Sequence, residues 1–236
     1  MRQEIEAGRL EIWYKTRFSL KDEIMKCILC EQRKGKRACP AKDALICAQC
    51  CGEKRILEID CPENCEYLKA GREREAENYR KRIQSMNPMA MERHRKILTD
   101  HRDVIAHLEY AISRQRILSR NLGDEDLVRA LDSLLETYKT EDKGLLYERT
   151  EDDLQIESLR RELREIVESY RNPEGKEGNG VVDPKNTRLQ LSAAIDCLEV
   201  LRDLAAAYLE SRSSGYVDFL ARIIPREETQ RSIILP

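Results

Sequence analysis

CILCEQRKGKRACPAKDALICAQCCGEKRILEIDCPENC, residues 27–65, carries eight of the chain's nine cysteines: Cys27, Cys30, Cys39, Cys47, Cys50, Cys51, Cys61 and Cys65. The two C-x-x-C pairs, Cys27/Cys30 and Cys47/Cys50, each offer two sulfurs from one tight turn, whose backbone N–H groups are free to bond them. Cys61 and Cys65 stand at i and i+4, a spacing that puts two sulfurs on one side of a helical turn. Zinc takes four thiolate or imidazole ligands in a tetrahedron, so eight cysteines make two complete sites. A segment this short has little apolar core, and the metal would supply much of its folding energy.

The residues leave two other chemistries open. All-cysteine ligation also suits an iron–sulfur cluster, and the vicinal Cys50-Cys51 suits a redox role. Catalytic zinc keeps an open coordination position, whereas eight thiolates would close both sites. The chain has no H-x-E with P-C-x-x-C deaminase signature, no phosphate-binding P-loop, no G-x-G-x-x-G and no G-x-S-x-G. The expectation is a structural module and a chain that is not an enzyme.

The run CILC…ACPA…ICAQCCGEKR…IDCPENCEYL resembles a group of bacterial zinc-ribbon proteins and, more weakly, the cross-brace zinc fingers of the HIT and MYND type. The likeness to those fingers covers residues 27–65. It implies two zincs held by interleaved ligand pairs: Cys27 and Cys30 with Cys47 and either Cys50 or Cys51, and Cys39, Cys61 and Cys65 with the other vicinal cysteine. It also implies a role in protein contacts. This chain departs from the HIT pattern in having no histidine ligand and no second cysteine just after Cys39-Pro40.

Outward from the module, the composition is that of long helices with solvated faces. Charged residues are 36% of the 236, against about a quarter in ordinary globular chains, and aromatics only 5%. The expected fold is mainly α: an N-terminal segment over 1–26, the zinc module over 27–65, and a helical bundle over 66–236. In the N-terminal segment, Ser19 and Asp22 form a possible capping box, and Leu10–Phe18 fits strand or helix equally. A charged helix should run from Glu66 to about Met86. Asn87-Pro88 then reads as an N-cap followed by proline at the first helical position. One helix should follow, with Ile97, Val104, Ile105, Leu108, Ala111, Ile112 and Leu118 on its apolar stripe. Gly123-Asp124 ends it and caps the next, which buries Leu127, Leu131, Leu134, Leu135 and Tyr138. Thr150 with Asp153 opens another, facing inward through Ile156, Leu159, Leu163, Ile166, Val167 and Tyr170. Residues 171–186, rich in Pro, Gly and Asn, read as a flexible loop. The helix after it, from Thr187 to about Arg212, is apolar on most sides, as a central helix would be. A short helix is expected around Tyr216–Ile223.

Charge is uneven. Residues 1–120 hold 26 Lys and Arg against 19 Asp and Glu, while residues 121–236 hold 16 against 25. Two zincs, each with four thiolates, would take the front half from +7 to about +3. Cations at Arg33, Lys34, Lys36 and Arg37, and at Lys54 and Arg55, are able to neutralise phosphates. They serve equally to offset thiolate charge, and the module lacks aromatics for base stacking. The partner expected is therefore a protein, with nucleic acid as the alternative. No secretory signal or membrane-spanning segment is visible, so a cytoplasmic, reducing location is expected, where clustered cysteines bind metal rather than form disulfides. His94, His101 and His107 lack any metal-protease spacing and read as surface or partly buried residues. Cys197, in the most apolar helix, reads as a core residue.

Overall fold

The computed structural model describes residues 26–85, 87–145, 147–173, 188–209 and 215–225. The Ser19–Asp22 capping box, the Leu10–Phe18 stretch, Thr187 and most of the 171–186 loop lie outside the described residues. The architecture is predominantly helical, with a small cysteine-rich module preceding the helices. The chain divides between Arg74 and Glu75 into two compact units.

In the first unit, strands β1 (Arg37–Cys39) and β2 (Ala44–Ile46) form an antiparallel hairpin, with Ala38 opposite Leu45. Asp43, at φ 45°, turns the chain between them in the left-handed conformation that Asp tolerates. Gly35 is demanded by packing: a Cβ there would stand 2.8 Å from the Leu45 Cβ. Helix α1 (Ala48–Lys54) follows at once, capped by Cys47, whose sulfur accepts from the Cys50 N–H. Ile56 is held at φ 64°, a strained conformation for a β-branched residue. It is buried with Cys65 and Leu68, and that packing holds the strain in place. Helix α2 (Glu66–Ser85) opens within this unit, which extends past Cys65 because Leu68 packs under Ile56 and Arg55 donates to the Tyr67 carbonyl.

The second unit takes the rest of α2 and six further helices: α3 (Pro88–Asp100), α4 (Arg102–Leu118), α5 (Asp124–Asp142), α6 (Leu154–Arg171), α7 (Leu191–Leu209) and α8 (Tyr216–Ile223). The Asn87 side chain caps α3 as expected, accepting from the Met89 N–H, with Pro88 at the first position. The inward faces of α5 and α6 are those the 3.6-residue period picks out, and with α7 they form one core. Helix α7 packs along α5 and also meets α3, α4 and α8. It buries Ala194, Cys197, Leu198, Val200, Leu201, Leu204, Ala205 and Tyr208. Near its end Tyr79 of α2 stacks on Phe219 of α8, ring centres 5.1 Å apart. No described helix is long and apolar enough to cross a membrane.

Three expectations change. The single stripe from Ile97 to Leu118 is carried by two helices, broken at His101 (φ −129°). No Gly or Pro marks the break; the Thr99 hydroxyl bonds back to the Arg95 carbonyl, a contact that bends helices. Leu118 falls in the last turn of α4 and is 70% exposed rather than part of the apolar face. Helix α6 starts three residues later than Thr150 implies, because the Asp153 carboxylate itself accepts from the Gln155 and Ile156 N–H groups. The Asp124 carboxylate, for its part, does not cap its own helix. It accepts from the Tyr216 and Val217 N–H groups, both at 2.8 Å, and so caps α8.

Candidate metal centre

The first unit gathers Cys27, Cys30, Cys47 and Cys50 so that their four sulfurs all lie within 4.8 Å of one another. Cys27 and Cys30 come from the turn that the Lys26↔Lys34 bridge closes; the Cys27 N–H donates to the Arg33 carbonyl at 2.7 Å. Cys47 and Cys50 come from the cap and first turn of α1. The Cys30 and Cys47 sulfurs are 4.0 Å apart. A tetrahedron with zinc–sulfur bonds of about 2.3 Å has sulfurs about 3.8 Å apart, so this quartet needs only a small contraction to hold such an ion. Among the described residues it is the one His, Cys, Asp and Glu group that closes this tightly.

The surroundings favour thiolates. Backbone N–H groups of Arg33 and Gln32 hold the Cys30 thiol below its ordinary value. The Cys50 N–H, and then the Arg33 guanidinium, bring Cys47 down to about 6. Arg33 donates from Nε to the Cys47 sulfur at 3.2 Å and from Nη2 to the Cys50 sulfur at 3.5 Å. Burial acts the other way on Cys50, pushed up to about 12. A bound cation would reverse that, since a coordinating thiol is deprotonated outright. The donor chemistry, the spacing and the N–H groups aimed at the sulfurs all fit a four-thiolate metal site.

Cys39, Cys51, Cys61 and Cys65 lie elsewhere in the unit. They line a small enclosed cavity of about 10 Å³, together with Ile46, Arg55, Ile59 and Leu68. Three of the four are buried and Cys61 is half-buried; burial raises the Cys61 thiol. Their sulfurs do not close to the spacing of the first quartet. The vicinal cysteines thus separate, Cys50 into the first quartet and Cys51 towards this cavity.

Two of the cations that the sequence reading set against thiolate charge have their partners fixed by the fold. Arg33 stands among the loop cations but points its guanidinium at two sulfurs. Arg55 is buried, donates to the Cys51 and Tyr67 carbonyls at 3.2 Å each, and meets no carboxylate among the described residues. The signal was present in the order of residues: each arginine follows a C-x-x-C pair within a few positions. The helical unit holds the histidines. His94 is buried, only 1% exposed, with neither ring nitrogen hydrogen-bonded, deeper than a surface or partly buried residue. His101 sits at the break between α3 and α4, and His107 meets the Tyr170 hydroxyl. Cys197 is wholly buried in the core, and burial pushes its thiol up to about 12. No family model matches this chain, and no curated protein or solved structure matches it significantly.

Proposed function

We propose that this chain is a zinc-binding, non-enzymatic interaction protein whose metal-stapled module presents a rigid surface to a protein partner. The observation that carries the proposal is the quartet Cys27, Cys30, Cys47 and Cys50, two C-x-x-C turns facing one another with an arginine over the sulfurs. Four thiolates fill the coordination sphere of zinc and leave no position for a substrate or activated water. That closed set supports a structural rather than a catalytic metal. The reading goes with a reducing, cytoplasmic setting, where clustered cysteines serve as metal ligands.

A second zinc belongs to Cys39, Cys51, Cys61 and Cys65. The support for it is electrostatic. A guanidinium buried at Arg55 without a carboxylate costs several kcal/mol unless an anion lies near. Zinc with four thiolates carries a charge of −2 and would be that anion, as it would for Arg33 at the first quartet. Because Cys39 lies between the two C-x-x-C pairs in sequence, the two ligand sets interleave, the order found in the cross-brace fingers this segment resembles.

Nucleic-acid binding is the alternative, favoured by the lysines around the first turn. Against it stands charge: residues 26–74 hold 11 Lys and Arg and 8 Asp and Glu, so two four-thiolate zincs would leave about −1. Tyr67, the one aromatic among the unit's described residues, is covered by the Arg37 guanidinium 4.9 Å from its ring centre.

Elemental mass spectrometry on protein purified anaerobically tests the metal reading; about two zincs per chain are expected. One zinc would remove the second site, and iron with acid-labile sulfide would replace the reading with an electron-transfer or redox-sensing one. Recovery of a nucleic acid with the protein, lost steeply with salt, would move the conclusion to the alternative.

A further inference from the structure

The outer face of the first metal turn is cationic around an apolar centre. Burial alternates along both segments that form it: Lys26 and Ile28 are exposed on either side of buried Cys27, and Lys34 and Lys36 on either side of buried Gly35. Lys26 and Lys34 pair directly across an antiparallel bridge. Like charges placed opposite one another in such a pair destabilise it, and side chains in that position share one face. None of the three lysines has an ion-pair partner among the described residues. Ile28, 48% exposed, is tied by its N–H to the Leu45 carbonyl at 3.3 Å and stands next to a metal-site cysteine. Among the described residues no carboxylate meets these lysines, and no apolar neighbour covers Ile28 fully, so the face keeps its charge and its apolar centre open to solvent.

We infer that Lys26, Ile28, Lys34 and Lys36 form a docking surface for an acidic polypeptide segment that carries an apolar residue between its carboxylates. This rests on the interaction reading above and names the kind of partner. Charge complementarity selects the carboxylates, and Ile28 selects the apolar anchor. A metal-held turn is already ordered, so docking costs little conformational entropy there. A phosphate backbone would answer the lysines but leave Ile28 without a contact, and the patch exposes no aromatic ring for a base. The surface is small, so the complex is expected to be weak and transient, with dissociation constants in the micromolar range.

The test uses the zinc-loaded full chain and three fluorescein-labelled probes of about the same length: a peptide alternating Glu-Glu-Leu, the same peptide with every Leu replaced by Glu, and single-stranded DNA. Fluorescence anisotropy at physiological salt should rank the leucine-containing peptide about fivefold or more ahead of both others. The triple variant Lys26→Glu, Lys34→Glu, Lys36→Glu should lose about tenfold or more for that peptide. Ile28→Ser should erase its advantage over the all-Glu peptide while keeping the salt dependence. Binding of all three probes alike in wild type and Ile28→Ser, tighter binding of DNA, or indifference to the charge reversal would each overturn the inference. Zinc counted on every sample separates the failures. Wild type without zinc refutes the metal reading, whereas fully loaded variants with unaltered peptide binding refute this surface alone.

Discussion

Gly71→Ala makes the sharpest test of the buried arginine. Gly71 lies in the first unit's portion of α2, and the Arg55 guanidinium fills the notch it leaves: a Cβ there would fall 1.2 Å from Nη1 and 2.5 Å from Cζ. An alanine Cβ and the guanidinium cannot share that space, so the guanidinium has to move, and its buried setting ties that movement to its hydrogen bonds. Two hydrogen bonds would go with it, to the Cys51 and Tyr67 carbonyls. Hydrogen bonds from a charged donor contribute about 1.5–3 kcal/mol each, so the loss is about 3–6 kcal/mol. Alanine returns up to about 1 kcal/mol through its helix propensity. The net destabilisation of the module should be about 2–5 kcal/mol. The assay is urea-driven release of zinc to a chromogenic chelator, which reports on the metal module rather than on the helical unit. In an Arg55→Ala background the same substitution should be neutral or stabilise by up to about 1 kcal/mol, because the clash is gone. A zinc-release midpoint unchanged by Gly71→Ala alone would refute the placement of Arg55 and, with it, the electrostatic case for the second metal.

Three further outcomes are expected. Cys50→Ser and Cys51→Ser should each cost about one zinc per chain by elemental mass spectrometry, since Cys50 belongs to the closed quartet and Cys51 lines the cavity where the second zinc is proposed; full occupancy in Cys50→Ser would refute the first quartet. His94 is held below its ordinary value by burial, with Asp203 and Arg93 as the nearby charges. Its folded form therefore stays neutral where the unfolded chain binds a proton. The stability this imparts is present above about pH 6.5 and falls as pH drops below it, by at most about 1.4 kcal/mol per pH unit. Thermal unfolding between pH 7.5 and 5 should show that component, and His94→Leu should remove it. Asp124→Ala should cost about 1–2 kcal/mol and lower hydrogen-exchange protection at the start of α8, while Asp124→Asn, which keeps one acceptor oxygen and turns an amide donor towards the other N–H, should recover only part of either.

The helical unit was legible because its signal is local. Leu127, Leu131, Leu134, Leu135 and Tyr138 repeat at the spacing of one helix face, and all five are buried on α5. What sequence reasoning missed depends on partners distant in the chain. The break at His101 has no Gly or Pro, and the stripe runs through it in phase. Asp124 sits where a cap belongs, yet the amides it serves are on another helix. In the module, the chemistry of the cysteines was plain from spacing, while the choice between Cys50 and Cys51 was not. Adjacent residues on α1 point about 100° apart, and only the folded turn decides which one faces Cys27 and Cys30. Arg33 and Arg55 read as cations for phosphate or for thiolate charge alike, because a charge count carries no direction; folded, one meets sulfur and the other is buried.

The carboxylate of Asp124 also sets a clock. Its two amide partners lie 92 and 93 residues further along the chain. A ribosome adding about 5–20 residues per second needs roughly 5–20 seconds to make that stretch. For most of that interval α5 is complete, its Asp124 carboxylate is bonded only to water, and the Leu131 and Leu134 face waits for α7. The newborn chain therefore passes through a period in which an apolar helix is uncovered. Slow codons between residues 142 and 191 would lengthen that exposure, and chaperone occupancy of the nascent chain should peak there.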